Sequence, residues 1–313
     1  MSGFVLKRLG FAVITLIAVL TIVFFIVRIL PGDPAMVILG DQASQQSIDL
    51  LRKRLGLDRP MIVQYFDFMS GVAIGDWGVS MVSGRPVISE VLKVLPATLE
   101  LTFAALILGA VIGVPLGVWA AISRNTIVDY LLRLASLLGL SSPAFVSAVL
   151  LLFAFAIYLP WFPVISSGRG TSLGARMNDL ALPAINLGLI MAAYITRVAR
   201  SAMLEVLGQD YVRTAKAKGI SFFAIIVRHC LRNTMIPVVT VVGLYLGILI
   251  GNSVLTEIVF NRPGLGRLIV GALFQRDYTM LQGMMVIYTL LVVVVNLLTD
   301  LTYGLIDPRI KYS

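Results

Sequence analysis

Long apolar runs separated by shorter polar stretches set the pattern of this chain. Runs long enough to cross about 30 Å of hydrocarbon as a helix fall at residues 10–30, 96–122, 134–159, 180–195, 235–255 and 280–298. The fourth is the shortest, opens with Pro183 and borrows Thr196 and Val198 for length. Six spans put both termini on one side of a bilayer. The pattern therefore predicts an all-α integral membrane protein with about six transmembrane helices.

Composition agrees: of 313 residues, 58% are hydrophobic and 13% charged, with a mean hydropathy of +0.95. A soluble globular domain carries about twice that share of charge. The formal charge of +9 would suggest nucleic acid in a soluble protein, but no basic stretch is interleaved with aromatics in a foldable polar segment, and no nucleic-acid partner is expected. The charge is better used as a topology signal. The side bearing the N-terminus holds thirteen Lys/Arg against five acids, and the other side holds eleven of each. By the positive-inside rule, both termini are expected in the cytoplasm. Lys7 and Arg8 ahead of an apolar run imitate a signal peptide, but no small-x-small cleavage site follows. The run is expected to stay as the first span. Cys230 is the single cysteine, which excludes an intramolecular disulfide and a zinc site built on cysteine pairs.

Residues 31–95 form a long segment outside, predicted to be a small folded cap. Residues 44–55 place Ile48, Leu51 and Leu55 on one helical face, with Gly56 as the stop; Gly75, Asp76, Trp77 and Gly78 make a turn; residues 86–95 suggest another short helix.

The spans hold almost none of the ionisable groups that a membrane enzyme or proton-coupled carrier keeps near mid-bilayer. Glu100 and Arg28 each lie near an outer end, where snorkelling to the interface accounts for them. His229 is the only histidine and has Cys230 beside it but no third ligand, so no metal, cofactor or catalytic residue is expected. No Gly-Lys dipeptide occurs, so the phosphate-cradling loop G-x-x-x-x-G-K-[ST] is missing. Energy for uphill transport would have to come from a partner.

Two glycine stripes stand out. Gly109, Gly113 and Gly117 recur every fourth residue in the second span, and Gly243, Gly247 and Gly251 do so in the fifth. Each makes a smooth face along which another backbone approaches closely. Static packing and a seam that slides during transport would both use such a face. Pro115, Pro143 and Pro183 free backbone carbonyls within or at the edge of spans, either as kinks along a polar path or as ordinary bends.

Residues 197–234 are too polar to cross lipid. Asp210 is expected to cap a short helix running to Lys218, Gly219 to end it in a left-handed conformation, and Ser221 to cap the next. On these residues alone, a surface helix resting on anionic headgroups is one reading. The string Asp210-Tyr211-Val212-Arg213-Thr214-Ala215-Lys216-Ala217-Lys218-Gly219-Ile220-Ser221, with Arg228-His229-Cys230-Leu231-Arg232-Asn233-Thr234-Met235-Ile236-Pro237 behind it, resembles the cytoplasmic loop of ABC-importer permeases of the dipeptide/oligopeptide/nickel group. Arg213-Thr214-Ala215 stands where the wider loop has Glu-Ala-Ala, as in the peptide group's variant. Six further strings resemble that group in order: Leu30-Pro31-Gly32-Asp33-Pro34, Leu55-Gly56-Leu57-Asp58, Leu95-Pro96-Ala97-Thr98-Leu99-Glu100, Pro263-Gly264-Leu265-Gly266-Arg267, Arg276-Asp277-Tyr278 and Asp307-Pro308-Arg309.

The resemblance implies a type I ABC importer permease fold in a bacterial inner membrane. It implies a core permease domain over residues 96–308, with 1–30 as the N-terminal end and first helix and 309–313 as a cytoplasmic tail. It also implies the partners: a second homologous permease subunit, two cytoplasmic ATP-binding subunits and a periplasmic solute-binding protein. The solute would be a di- or oligopeptide or a related small molecule. The short helix would seat in a groove on an ATPase subunit, with small residues allowing deep seating and Arg213 and Lys218 pairing with acidic groups at its rim; Gly219→Glu and Ala215→Asp are expected to uncouple. A self-contained secondary carrier or channel and a membrane-embedded enzyme are the competing readings, and both would work without partners.

Overall fold

The computed structural model describes residues 2–29, 33–40, 43–165 and 172–306. Regular structure among them is helical, apart from one isolated antiparallel bridge between Val79 and Pro86. The helices are α1 Ser2–Ile29, α2 Pro34–Leu39, α3 Gln45–Arg54, α4 Met61–Ile74, α5 Val87–Ile122, α6 Ile127–Ser141, α7 Ala144–Leu152, α8 Leu173–Leu207, α9 Asp210–Ala217, α10 Phe222–Ala224, α11 Leu231–Val259, α12 Leu265–Phe274 and α13 Tyr278–Ile306. A π turn at Phe153–Tyr158 ends α7, and another at Ile225–Cys230 joins α10 to α11. Among the described residues five helices are long and apolar enough to cross a membrane, and the bent pair α6 and α7 makes a sixth crossing if counted as one span.

The third span is therefore broken where one run was expected, with a bend of 102°. Its cause is local: Ser142 is extended (ψ 124°), as a residue before proline prefers, and Pro143 starts α7 without a backbone N–H to continue α6. The fourth span is longer than its apolar run. α8 extends over 35 residues with Pro183 inside it, because at its two ends it runs on through exposed polar residues such as Arg176, Asn178, Arg197 and Glu205 that a hydropathy window rejects. Residues 87–95 are helical as expected but continue into α5 rather than standing apart. Helices α2, α4 and α12 have no counterpart among the expected elements.

The chain packs as two compact units. One draws on Met1–Pro96 and Gly264–Val294. Its core gathers Val23, Val27, Val87, Val91, Leu265, Tyr278 and Met284. The expected helix at 44–55 is α3: Ser44 accepts from the Ser47 amide, Ile48 is buried, and Gly56 follows in the left-handed region at φ 67°. Asp33 caps α2 by accepting from the Ala35 amide and pairs with Arg52, tying α2 to α3. α1 and α4 meet through Phe24, Tyr65 and Phe68, whose ring centroids lie 5.4 to 5.9 Å from that of Phe24. In the turn after α4, the Asp76 carboxylate accepts from Gly78 N at 3.0 Å. Asp277, buried at the start of α13, accepts from the Ser80 hydroxyl and from the amides of Met81 (3.1 Å) and Met280 (3.0 Å).

The other unit draws on Ala97–Pro263 and on the described residues from Val295 onward. Its core is Leu101, Ala105, Leu187, Met191, Ile195, Ala199, Val238 and Leu249. Asn186 of α8 joins three helices: it accepts from the Ser147 hydroxyl at 2.7 Å and donates to Thr256 at 3.3 Å.

Candidate functional site

The turn from α8 into α9 starts at Gly208, after which Gln209 (φ −72°, ψ 148°) is the helix-capping residue, without a side-chain cap bond. Asp210 is thus the first helical residue and not the cap expected of it. There its charge still suits the positive end of the helix dipole, and it lies 3.7 Å from Arg213 in a fully exposed pair, which adds little stability. Two turns later the helix closes as expected: Gly219 has φ 73°, and the amides of Gly219 and Ile220 return to the carbonyls of Lys216 and Ala215 at 3.0 and 3.3 Å. Ser221 then caps α10 by accepting from the Ala224 amide.

The helix is about 12 Å long and has two faces. Val212 (0% exposed) and Ala215 (8%) pack with Ala121, Met203, Ile225, Ile226 and Cys230. Arg213, Thr214, Lys216, Ala217, Lys218 and Gly219 are exposed. Ala215 therefore faces the protein's own core, not a partner's groove, because positions three apart share one helical face and Val212 is the other anchor. The π turn at Ile225–Cys230 helps make this seat: residues five apart stack in a π turn, so Ile225 and Cys230 both meet α9. Tyr211 adds a polar tie, its hydroxyl accepting from Asn233 Nδ2 at 2.8 Å. Among the described residues no group of three or more His, Cys, Asp or Glu gathers to hold a metal.

The first glycine stripe is a tight seam between α5 and α8. A Cβ on Gly109 would lie 2.6 Å from Met191 Cβ, on Gly113 2.8 Å from Ala192 O, and on Gly117 2.7 Å from Thr196 O. The Thr196 hydroxyl donates to Gly113 O at 3.2 Å across the seam. The second stripe is only partly seated within the chain. Gly243 is buried against Thr299 of α13, Gly247 is half-buried and Gly251 is exposed.

Several charged residues form bonds that sequence spacing did not reveal. Glu100 is not a free snorkelling side chain: it accepts from Arg262 Nη2 at 2.6 Å, and the Arg262 side chain is 1% exposed. Beside it Thr98 donates to the fully buried Glu257 at 2.6 Å. Arg28 likewise turns inward, donating to Gln64 at 2.8 Å and lying over the Phe24 ring. Asp129, fully buried, accepts from Arg200 Nε and Nη2 at 2.6 and 2.8 Å and from the Asn125 amide at 3.1 Å. Its partner is 71 residues away, so no local pattern could pair them.

Residues 113–312 match the family model described as binding-protein-dependent transport system inner membrane component, and residues 1–102 match the N-terminal model of such membrane components. The glutathione transport system permease protein GsiC of Salmonella typhimurium strain LT2 is 41% identical, and its counterpart in Escherichia coli K12 is 40% identical, each over the full length of both chains. Among solved structures, an inward-facing form of the MetNI methionine ABC transporter has a TM-score of 0.55 at 20% identity, covering 70% of this chain and 97% of that one. A second crystal form of MetNI has the same TM-score. The fold is thus that of an ABC-transporter permease, and the long apolar helices make the chain a multi-pass inner-membrane protein. The chain therefore belongs to the binding-protein-dependent transport system inner membrane components, the permease subunits of ABC importers, whose ATP hydrolysis is carried out by separate subunits.

Proposed function

We propose that this chain forms half of a path for glutathione-sized peptides and is driven through α9. The observation that carries the proposal is the two-faced helix: one side is bolted to the chain's own core through Val212 and Ala215, and the other presents Arg213, Thr214, Lys216 and Ala217. A push on the exposed face cannot be absorbed by sliding, because the buried face interlocks with the ends of α5 and α8 and with the π turn before α11. Displacement of α9 therefore becomes displacement of spanning helices. Arg213 and Lys218 supply positive charge for acidic groups on an ATPase subunit. The substrate reading is supported by the glutathione permeases that are 40–41% identical from end to end.

In this reading the other half of the path is a second homologous permease. Two ATP-binding subunits sit below, and a periplasmic binding protein docks on the segment between α1 and α5. The excess of basic residues on the N-terminal side supports cytoplasmic termini.

The test is uptake by the assembled transporter in liposomes, comparing Thr214→Glu with Ala217→Glu. Both sites are exposed, so the fold should survive, whereas ATP-driven glutathione uptake should fall at least about tenfold, a barrier change of about 1.4 kcal/mol. Uptake at the wild-type rate in both variants would remove the coupling role. Accumulation of glutathione by the chain alone would instead favour a self-contained carrier.

A further inference from the structure

A cavity of about 780 Å³ lies between α6 and α8, close to the end of the bundle that carries α9. Its lining separates by chemistry. Leu134, Leu137 and Leu140 form an apolar wall on α6, while Arg133, Arg197 and Arg200 bring three guanidinium groups from α6 and α8. Arg200 is committed to Asp129 by two hydrogen bonds. Arg133 and Arg197 are exposed, and among the described residues neither has a carboxylate within ion-pair distance. Two wall hydroxyls are also committed: Ser136 donates to Leu132 O at 2.9 Å and Thr196 to Gly113 O at 3.2 Å. Along the leucine wall the amide groups of a peptide would lose water with nothing to replace it, because the donors of the lining gather at the arginine end.

We propose that the cavity holds one anionic phospholipid of the inner leaflet, its phosphate against Arg133 and Arg197 and an acyl chain along Leu134, Leu137 and Leu140. Arg133, Leu137 and Leu140 stand at i, i+4 and i+7, one face of α6, and Arg133 and Leu140 are about 10 Å apart along the helix axis. Charge at one end and hydrocarbon along the rest is the pattern of a lipid, and basic pockets between spanning helices bind acidic headgroups. Arginine suits the role because its planar fork meets two phosphate oxygens at once. The Arg133 guanidinium lies 5.7 Å from the centre of the ring of Tyr130, which also lines the cavity. The inference depends on the orientation proposed above only for the choice of leaflet.

The test is native mass spectrometry of the purified full chain in detergent, titrated with dioleoyl phosphatidylglycerol and separately with dioleoyl phosphatidylcholine. Wild-type protein should retain one phosphatidylglycerol in preference to phosphatidylcholine. Arg133→Gln with Arg197→Gln should weaken the phosphatidylglycerol complex about 30-fold, from the loss of two cations near the headgroup. Phosphatidylcholine, whose phosphate meets the same arginines but whose choline cation offsets its charge, should lose less affinity than phosphatidylglycerol in that variant, and an unchanged circular dichroism spectrum shows that the fold is intact. Arg124→Gln, which removes an exposed charge outside the cavity, should bind as wild type. Equal retention of phosphatidylglycerol by the double variant, or an equal loss in Arg124→Gln, would overturn the proposal. So would stoichiometric displacement of the lipid by glutathione, which would make the cavity part of the solute path. Variants on the exposed face of α9 should leave lipid binding unmoved, so failure of the coupling proposal and failure of this one give different results.

Discussion

Adding one methyl group to the seam between α5 and α8 tests whether the glycine stripe is a packing requirement. In Gly113→Ala the new Cβ lies 2.7 Å from Ile195 Cβ and 2.8 Å from the carbonyl oxygen of Ala192. Neither can turn away, because the Ile195 Cβ is set by its backbone and the carbonyl by its helix. Relief to an ordinary contact of about 3.4 Å needs the helices to part by roughly 0.6 Å, and overpacking of this kind costs about 1–3 kcal/mol. The same movement stretches the bond from the Thr196 hydroxyl to Gly113 O, now 3.2 Å, past useful length, a further loss of about 0.5–1.5 kcal/mol. Alanine recovers about 0.8–1.0 kcal/mol of helix propensity over glycine, which leaves a net destabilisation of about 0.5–3.5 kcal/mol. Gly271→Ala is the control, because nothing lies within 4 Å of its new Cβ and only the propensity gain applies. Both variants would be unfolded with SDS in mixed micelles and followed by tryptophan fluorescence. The midpoint should fall for Gly113→Ala and hold or rise for Gly271→Ala. A rise in both would refute the close-contact argument.

Two other changes probe the buried polar groups. Asp129→Asn keeps the shape of the side chain but leaves Arg200 without its counter-charge. Losing a buried pair costs about 3–5 kcal/mol, and because Arg200 is 20% exposed a loss nearer 2–4 kcal/mol is expected, seen as a lower midpoint in the same SDS titration; an unchanged midpoint would mean the pair is dispensable. Asp277→Ala removes the acceptor for the Ser80 hydroxyl and the Met81 and Met280 amides, at about 1 kcal/mol or more for each donor left unmet. The loop before α5 should open, so proteinase K should cut within residues 78–84 faster than in wild type, and equal cleavage rates would refute the latch.

Hydropathy alone was enough to read an all-α membrane protein with six apolar runs, since any backbone in lipid must satisfy its own hydrogen bonds and a helix does so within the segment. The turn signals were legible for the same local reason. Ser44, Gly56, Gly219 and Ser221 act through atoms a few residues away, and their caps and left-handed turns lie where residue type predicts them. The family was legible because seven strings recur in order along the chain. What only the tertiary structure decided are the partners of charged and buried groups. Arg200 reaches Asp129 across 71 positions and Arg262 reaches Glu100 across 162, and such pairs leave no periodic trace. The inward turn of Ala215 is similar: the sequence places it on a helix, but which face that helix buries depends on Met203, Ile225 and Cys230 arriving from other segments. Local rules set the elements because their forces act within a turn or two, whereas the faces of those elements are chosen by the rest of the chain.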